Sequence, residues 1–425
     1  MAKLAGLHAI GRTLHSRNYV VFVVGSEISH IGTWAQRVAV GWLAWELTHS
    51  GLWLGLMSIA DLFPTVLLAP LTGAVADRVD RVKLMKVCQV LCVLQGLLLC
   101  FLTYEGLITI GILFALTFCL GTIISFNQPA RLAIVPNLVD RRDLATAIGL
   151  NSVVFNIARF IGPAISGVLI VELGSGAAFG FNAATYTVFL IALFLLRLPP
   201  EATARASGAA HGLVHDIVGG FRYATRHVGI GPMLVMLTVS AVAGRPFGEL
   251  LPGFADHVFG MGAQGLAWLT SATGAGAAVG GLWLAQRPGI AGLTRVSISS
   301  VLVLAIALFA FAATDWFWLG IVSVFVAGLA MVMLGVGQQT LIQNAVDASM
   351  RGRVMGLYGM IQRGGPAVGA LIMGALSERF GLQAPIIAGA VVCLLLWVWS
   401  ERRKTTVSRA LEAEPAEAAA PHARG

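Results

Sequence analysis

Seven ionisable side chains lie inside long apolar stretches of this sequence, where a charge is costly. A charged group placed in hydrocarbon needs an opposite charge, a hydrogen-bonding partner or a polar cavity, so each such group is a candidate for binding or coupling. Alternatively, these charges pair with one another and lock neighbouring helices together. The seven are Glu27, Arg37, Asp61, Arg159, Arg245, Glu249 and Arg363.

The first apolar stretch carries a polar stripe with helical spacing. Glu27, His30, Trp34 and Arg37 follow one another at intervals of three, four and three residues, which places them on one helix face. Such a face must meet a wet cavity or a partner helix, because lipid cannot solvate it. His30 can relay protons or simply donate a hydrogen bond. Trp34 is a candidate for stacking on an aromatic substrate.

Two isolated acids, Glu27 and Asp61, are the predicted proton carriers. A carboxyl in a low-dielectric cavity gains and loses its proton near neutral pH, which suits coupling of proton movement to another process. Arg245 and Glu249 are four residues apart, so a structural ion pair is an equal alternative for them. The predicted cavity lining comprises His30, Trp34, Arg37, Arg159, Arg245, Glu249, Gln338, Gln339 and Arg363. The two glutamines can equally serve as hydrogen-bonding links between helices.

The composition shows which elements must position these side chains. Only 11% of the 425 residues are charged and 57% are hydrophobic, with a mean hydropathy of +0.83, against about 25% and 45–50% in soluble domains. Soluble enzymes, disordered proteins and nucleic-acid-binding modules are therefore excluded. Apolar runs of spanning length occur at 19–46, 52–76, 84–104, 107–135, 144–171, 176–196, 231–257, 263–286, 294–313, 316–342, 351–377 and 382–399. The sequence predicts an all-α membrane protein with twelve transmembrane helices in two pseudo-symmetric six-helix bundles.

The charged residues outside the spans predict the domains and the orientation. We expect a cytoplasmic leader at 1–18, an N-terminal bundle at 19–197, a cytoplasmic linker at 198–230, a C-terminal bundle at 231–400 and a disordered cytoplasmic tail at 401–425. The net charge of +8 is concentrated in alternate loops and both ends, so both termini are predicted to be cytoplasmic. Gly162-Pro163-Ala164 recurs as Gly365-Pro366-Ala367, as expected for related halves.

The loop after the second span contains a recognisable motif. It reads Gly73-Ala74-Val75-Ala76-Asp77-Arg78-Val79-Asp80-Arg81 and resembles the signature loop of the major facilitator superfamily, in which a glycine takes the place of Asp80. The resemblance implies that Gly73 lets a neighbouring helix approach closely. It also implies that Asp77, Arg78 and Arg81 form a cytoplasmic latch between the halves; a set of loop charges that only fix orientation is the plainer alternative.

A second motif lies in the fifth span. Gly162-Pro163-Ala164-Ile165-Ser166-Gly167 resembles a motif of the superfamily's exporters, with Ser166 replacing a glycine, and predicts a bent interface helix built on Gly162, Pro163 and Gly167. With segments such as 127–136 and 351–357, the chain is similar to the enterobactin-exporter branch, which includes macrolide-efflux-like proteins. Many proton-coupled relatives carry an arginine inside the fourth span. Here Arg131 comes only at its end, so Arg37 or Arg159 is the predicted substitute.

These observations predict a bacterial inner-membrane secondary transporter. It would export a small amphipathic organic compound, siderophore-like or drug-like, by alternating access and proton antiport, acting as a monomer in the lipid bilayer. The slight excess of intramembrane arginines over acids suits an acidic or catecholate cargo. The alternatives are a multidrug or macrolide exporter, a lysophospholipid flippase and, in another class, a transporter-like sensor or an intramembrane enzyme. No phosphate-binding loop or metal-ligand spacing is found, so we expect no cofactor, metal or nucleic-acid partner.

Overall fold

The first half of the chain folds into long helices joined by short turns. The computed structural model describes residues 11–197, 213–287, 289–347 and 349–412, and the regular elements in those ranges are helical. The helices of the first half are α1 (Arg17–Thr48), α2 (Gly51–Leu67), α3 (Ala69–Arg78), α4 (Arg81–Tyr104), α5 (Ile110–Ile134), α6 (Leu144–Leu173) and α7 (Ser175–Leu195).

The second half repeats this arrangement after a connecting helix, α8 (Leu213–Arg226). Its elements are α9 (Ile230–Val239), α10 (Phe247–Gly253), α11 (Gly262–Ala285), α12 (Leu293–Ala312), α13 (Phe317–Ala345), α14 (Arg351–Phe380), α15 (Gln383–Glu401) and the short terminal α16 (Lys404–Leu411). The prediction of an all-α membrane fold with two six-helix bundles is confirmed.

Two predicted spans are interrupted rather than continuous. The predicted span 52–76 is divided at Leu68, between α2 and α3, where Pro64 and Pro70 remove two backbone donors. The predicted span 231–257 contains two π-helical turns, Ser240–Gly244 and Phe254–Val258, on either side of α10. Single π turns are frequent at functional sites, because they turn a side chain out of the regular helical register. The sequence gives no periodic signal for either turn.

Apolar length separates the spans into two groups. Seven helical segments among the described residues are long and apolar enough to cross a membrane: Arg81–Tyr104, Ile110–Asn137, Ser175–Leu195, Ile230–Val258, Leu293–Ala312, Phe317–Ala345 and Gln383–Glu401. Of the other predicted spans, α1, α2, α6 and α14 carry the ionisable residues at 27, 37, 61, 159 and 363, and α11 is rich in glycine and alanine. These are the helices that pack between the two halves or turn a polar face toward the interior.

The two halves meet along two helix pairs, α2 with α14 and α6 with α11. A side chain added at Gly55 would lie only 2.5 Å from the carbonyl oxygen of Ala370, so α2 and α14 pack with their backbones close together. The contacts continue to the end of the bundle where α1 ends and α2 begins, which we call the closed end. The opposite end carries both ends of the described chain and is called the termini end.

Polar contacts also join the halves at the closed end. Trp45 Nε1 donates to Asp256 Oδ2 at 2.9 Å. Ser50 Oγ and the amide of Leu52 both donate to Glu378 Oε1, at 2.7 and 3.2 Å. The sequence did not single out Asp256 or Glu378, because each lies near a span end, where an acid is unremarkable. Their partners in the other half show that both acids help to hold the closed end together.

Candidate functional site

The centre of the site is Arg37, which lies between carboxylates from both halves. Its Nη2 donates to Glu249 Oε1 at 2.9 Å, and its Nε is 3.5 Å from Asp61 Oδ2. The three side chains are 24–29% exposed, so they are sheltered but remain reachable by water. Because Asp61 is on α2 and Glu249 on α10, this cluster is an ionic connection within the first half and also across to the second.

The alternative pairing of Arg245 with Glu249 does not occur among the described residues, where the carboxylate of Glu249 contacts Arg37 instead. The π turn Ser240–Gly244 ends immediately before Arg245, and α10 begins only at Phe247. The two residues are therefore not on one regular helix, and the four-residue spacing no longer brings their side chains together.

Trp34 lies beside two arginines. The guanidinium carbon of Arg37 is 5.5 Å from the centre of the indole ring, and that of Arg159 is 5.2 Å away. Both distances fit a cation–π interaction. Trp34 and His30 also meet the ring of Phe155 edge-on, at 6.4 and 4.8 Å between ring centres. The predicted stripe on α1 thus faces α6, and Phe155 is a lining residue that the sequence analysis did not identify.

Glu27 occupies a separate place on the same helix. It is only 4% exposed, and neither of its carboxylate oxygens has a hydrogen-bond partner among the residues that the structure describes. Ten residues of helix, roughly 15 Å, separate Glu27 from Arg37. The structure therefore does not bring the two predicted proton carriers together, since Asp61 belongs to the Arg37 cluster and Glu27 does not.

Arg131 is a cation whose charge attracts the carboxylate of Glu27. Its Nη2 donates to the backbone carbonyl of Ser26 at 2.8 Å and also to the Ser26 hydroxyl, and its guanidinium lies over Phe189 with 4.9 Å to the ring centre. The sequence favours Arg37 or Arg159 as the substitute arginine over Arg131, because Arg131 lies near the end of its span. The long arginine side chain reaches back across to α1, which sequence position does not reveal.

The three remaining cavity candidates lie in the second half and differ in their surroundings. Gln338 is fully buried, and its amide oxygen and nitrogen have no partner within the described ranges. Gln339, the next residue, is exposed, and Arg363 is half-buried. Over the part of the chain that the structure describes, none of the three hydrogen bonds to the Arg37 cluster, so they are not part of the same contact network.

The predicted latch is not engaged through the residues whose side chains are described. A side chain at Gly73 would meet nothing within 4 Å among them, so the expected close helix approach is absent. Arg81 donates to the carbonyl of Ala133 at 3.1 Å, within its own half, and not to a carboxylate. The side chains of Asp77 and Arg78 lie outside the described part of the structure.

The departure at Asp80 has a local explanation. Its Oδ1 accepts hydrogen bonds from the amides of Val82 and Lys83, at 2.9 and 3.0 Å, and so caps the first turn of α4. An aspartate at this position satisfies backbone donors that a glycine would leave to water. The aspartate at position 80 therefore affects only the first turn of α4 and does not contact the Arg37 cluster in the part of the chain that the structure describes.

The glycines of the interface motif lie where helices approach closely. A side chain at Gly162 would lie 2.6 Å from Trp34 Cβ and 2.7 Å from the carbonyl oxygen of Ile31, and one at Gly167 would overlap Ala267 of the other half. Ser166, in place of the usual glycine, donates to the carbonyl of Ala35 at 2.8 Å. Pro163 lies inside α6. The motif thus fixes α6 against α1 on one side and α11 on the other.

Comparisons with known proteins agree with this architecture. A sequence model of the family described as transmembrane secretion effector matches residues 13–423. A staphyloferrin A transporter of Staphylococcus aureus is 24% identical over 398 residues, which cover 90% of this chain and 96% of that protein. An enterobactin exporter of Escherichia coli is 28% identical over 334 residues, which cover 77% of each chain.

A solved structure shares the fold at low sequence identity. The crystal structure of a bacterial homologue of the human lysosomal transporter Spinster superimposes with a TM-score of 0.74 at 14% identity, covering 94% of this chain and 98% of that one. The matches place the chain among the multi-pass transporters of the bacterial inner membrane. These transporters are not enzymes. The chain belongs to the transmembrane secretion effector family of the major facilitator superfamily.

Proposed function

We propose that this transporter exports a small amphipathic organic compound of the siderophore type across the bacterial inner membrane, by alternating access driven by proton entry. The observation that carries the proposal is the ion pair between Arg37 and Glu249, which joins the two halves beside an aromatic surface. A partly sheltered ionic contact between halves has to break when the halves separate there. The names of the two relatives favour a siderophore-like cargo.

Alternating access assigns different roles to the two ends of the bundle. The contacts of Asp256 and Glu378 hold the closed end shut, and the loop with Gly73, Asp77, Arg78 and Arg81 is proposed to latch the termini end in the opposite state. No described residue lies within 4 Å of a side chain added at Gly73, as expected for an unlatched termini end. The excess of Lys and Arg at that end supports a cytoplasmic location for both termini.

Proton coupling is assigned to Glu27 and Asp61, which occupy different environments. Glu27 is buried and has no hydrogen-bond partner within the described ranges, so its charged form is costly there unless Arg131 compensates it. Asp61 shares Arg37 with Glu249. A proton arriving on Asp61 would weaken its hold on Arg37. Proton uptake at Asp61 would leave Glu249 as the carboxylate partner of Arg37, and proton release would let Asp61 compete for the guanidinium, so the protonation state of Asp61 would bias the ion pair that connects the halves. One chain supplies all of these groups, so we propose a monomer.

The test is substrate flux in proteoliposomes under an imposed pH gradient. Labelled siderophores and a panel of drugs and macrolides serve as cargo, and flux should follow the gradient in the wild-type protein. In the double variant Glu27→Gln, Asp61→Asn we expect counterflow without a gradient to persist, while the response to the gradient is lost. If flux in this variant still follows the gradient, both carrier assignments are wrong. Transport of drugs but not of siderophores would favour the drug-exporter alternative.

A further inference from the structure

The charges around Trp34 do not balance. Asp61 and Glu249, the two carboxylates of the cluster, are both directed at Arg37. Arg159 and Arg245 form no salt bridge and no side-chain hydrogen bond with any residue in the described ranges. Both are only partly exposed. A guanidinium left without an anion in a membrane interior is costly, and structures keep such groups where a ligand or an ion pathway needs them.

The two arginines, neither of which forms a salt bridge with a described residue, belong to one electrostatic neighbourhood, although they come from different halves of the chain. Arg159, on α6, and Arg37 lie 5.2 and 5.5 Å from the centre of the same Trp34 ring, so their charges repel each other. Arg245 adds to this repulsion, and the carboxylate of Glu249 offsets part of it at Arg159. Two like charges held near each other in a low-dielectric region destabilise the empty site. A ligand that carries negative charge to both arginines would remove this repulsion.

The surface beside Arg159 is aromatic. Arg159 lies over the indole of Trp34, and Phe155 contacts the edge of that ring from α6. An indole face binds flat, weakly polar surfaces, while guanidinium groups bind carboxylates and similar oxyanions through paired hydrogen bonds. The site therefore combines a flat apolar platform with two cationic donors.

We infer that Arg159 and Arg245 form an anion-binding pair that holds the cargo between the two halves. The ligand has at least two negatively charged oxygen groups, such as carboxylates or ionised catechols, on a compact or aromatic framework that rests against Trp34. Arg37 is not part of this pair, since its two carboxylates already occupy it. The inference rests on the proposed function only in treating the bound anion as cargo.

The first experiment measures binding without transport. Benzene-1,3,5-tricarboxylate is the anionic probe, its trimethyl ester is the uncharged probe of the same shape, and the protein is held in lipid nanodiscs with no gradient. We expect the tricarboxylate to raise the thermal midpoint and to bind more weakly as salt increases, while the ester has little effect. Arg159→Gln and Arg245→Gln should each weaken tricarboxylate binding at least tenfold. Arg222→Gln, an exposed arginine on α8, should leave it unchanged.

The second measurement needs no ligand. Removing an arginine that has no carboxylate partner among the described residues should relieve repulsion, so Arg159→Gln and Arg245→Gln should each raise the thermal midpoint of the empty protein, whereas Arg222→Gln should not. Equal stabilisation by the ester, no binding of the tricarboxylate, or unchanged binding in both glutamine variants would overturn the inference. Tricarboxylate binding with no response of cargo flux to a pH gradient would instead contradict only the proton-coupling proposal.

Discussion

At the scale of single residues, Arg37 matters because it is shared. Asp61 lies in its own half of the molecule and Glu249 in the other, and both use the same guanidinium. Losing the arginine would leave two carboxylates near each other in a poorly solvated place, which is costlier than losing the whole cluster. The stability effect of one substitution therefore depends on which of its partners remain.

We predict that Arg37→Gln lowers the free energy of unfolding by about 1–2 kcal/mol, a reduced figure because the groups are roughly a quarter exposed. Adding Asp61→Asn and Glu249→Gln should restore most of the loss, because no uncompensated acid then remains. Thermal unfolding in detergent followed by tryptophan fluorescence measures this. If the losses of the separate substitutions simply add, the residues do not interact.

A second residue pair, away from the membrane interior, gives a pH dependence. Arg12 Nη2 lies 2.8 Å from Asp143 Oδ1 at the termini end, and this hydrogen-bonded guanidinium holds the pKa of Asp143 below its usual range. A lowered folded-state pKa stabilises the fold above the ordinary pKa, and the contribution is lost as the pH falls through the lowered value. Asp143→Asn should therefore lower the thermal midpoint at pH 5 and above, with the difference closing below roughly pH 4.

The matched control is Asp140→Asn at the neighbouring, exposed carboxylate, which contacts Arg142. An ion pair so open to solvent contributes little, so this variant should follow the wild-type pH profile. A constant difference between Asp143→Asn and wild type down to pH 3 would show that packing, and not the ion pair, is responsible.

At the scale of elements, α6 is the helix that has to pack closely against neighbours on two sides. It contacts α1 at Gly162 and α11 at Gly167, and it also presents Phe155 and Arg159 to the site. The position of the arginine is therefore set by glycines one to two turns away. A displaced α6 would move Arg159 from Trp34 even though neither residue had changed.

Gly162→Ala should destabilise the protein by about 1–3 kcal/mol, as expected for overpacking, and should weaken cargo binding through the shift of Arg159. Gly149→Ala on the same helix is the control, because a side chain there meets nothing within 4 Å among the described residues. The measurement compares the thermal midpoints and the cargo affinities of Gly162→Ala and Gly149→Ala. Similar values for the two would show that α1 yields to the added methyl group.

The two elements on which the sequence was least informative are α9–α10 and the end of α5. A run of apolar residues is a local property of the sequence, so the membrane spans and the charged residues inside them could be predicted without knowledge of the tertiary structure. The ion-pair partners of these residues could not be predicted, because Arg37 and Glu249 are 212 positions apart in the sequence. The π turn before Arg245 also disrupts the four-residue helical spacing that favoured pairing of Arg245 with Glu249. Arg131 was missed for the same reason, since its contact with Ser26 depends on how α5 packs on α1.

At the scale of the whole molecule, the proposed transport cycle assigns different contacts to the two ends of the bundle. The closed end uses Glu378, which accepts hydrogen bonds from Ser50 and from the amide of Leu52. The termini end is assigned to the motif with Asp77. Alternating access requires that neither set be so strong that the molecule stays in one state.

We predict that Glu378→Gln opens the closed end more often, while Asp77→Asn keeps it shut more of the time. A single cysteine at Ala370, buried where α2 meets α14, reports this in a background without the native cysteines. A water-soluble maleimide should label it faster in Glu378→Gln and more slowly in Asp77→Asn. Glu46→Gln, an exposed acid on α1, should label at the wild-type rate. Equal rates for all variants would contradict both assignments.

The double pairing of Arg37 has a kinetic consequence. When α10 moves away with its half, Arg37 keeps Asp61, and Glu249, which forms no salt bridge with Arg245 among the described residues, would have to reorient to pair with it. We therefore expect opening to replace the Arg37–Glu249 ion pair with an Arg245–Glu249 ion pair, so that Glu249 is not left without a cation during the transition. Arg245→Gln should slow labelling at the Ala370 reporter site, and an unchanged rate would contradict the exchange. The carboxylate that arrives at Arg245 would also displace a bound anion, so separation of the halves would itself release the cargo.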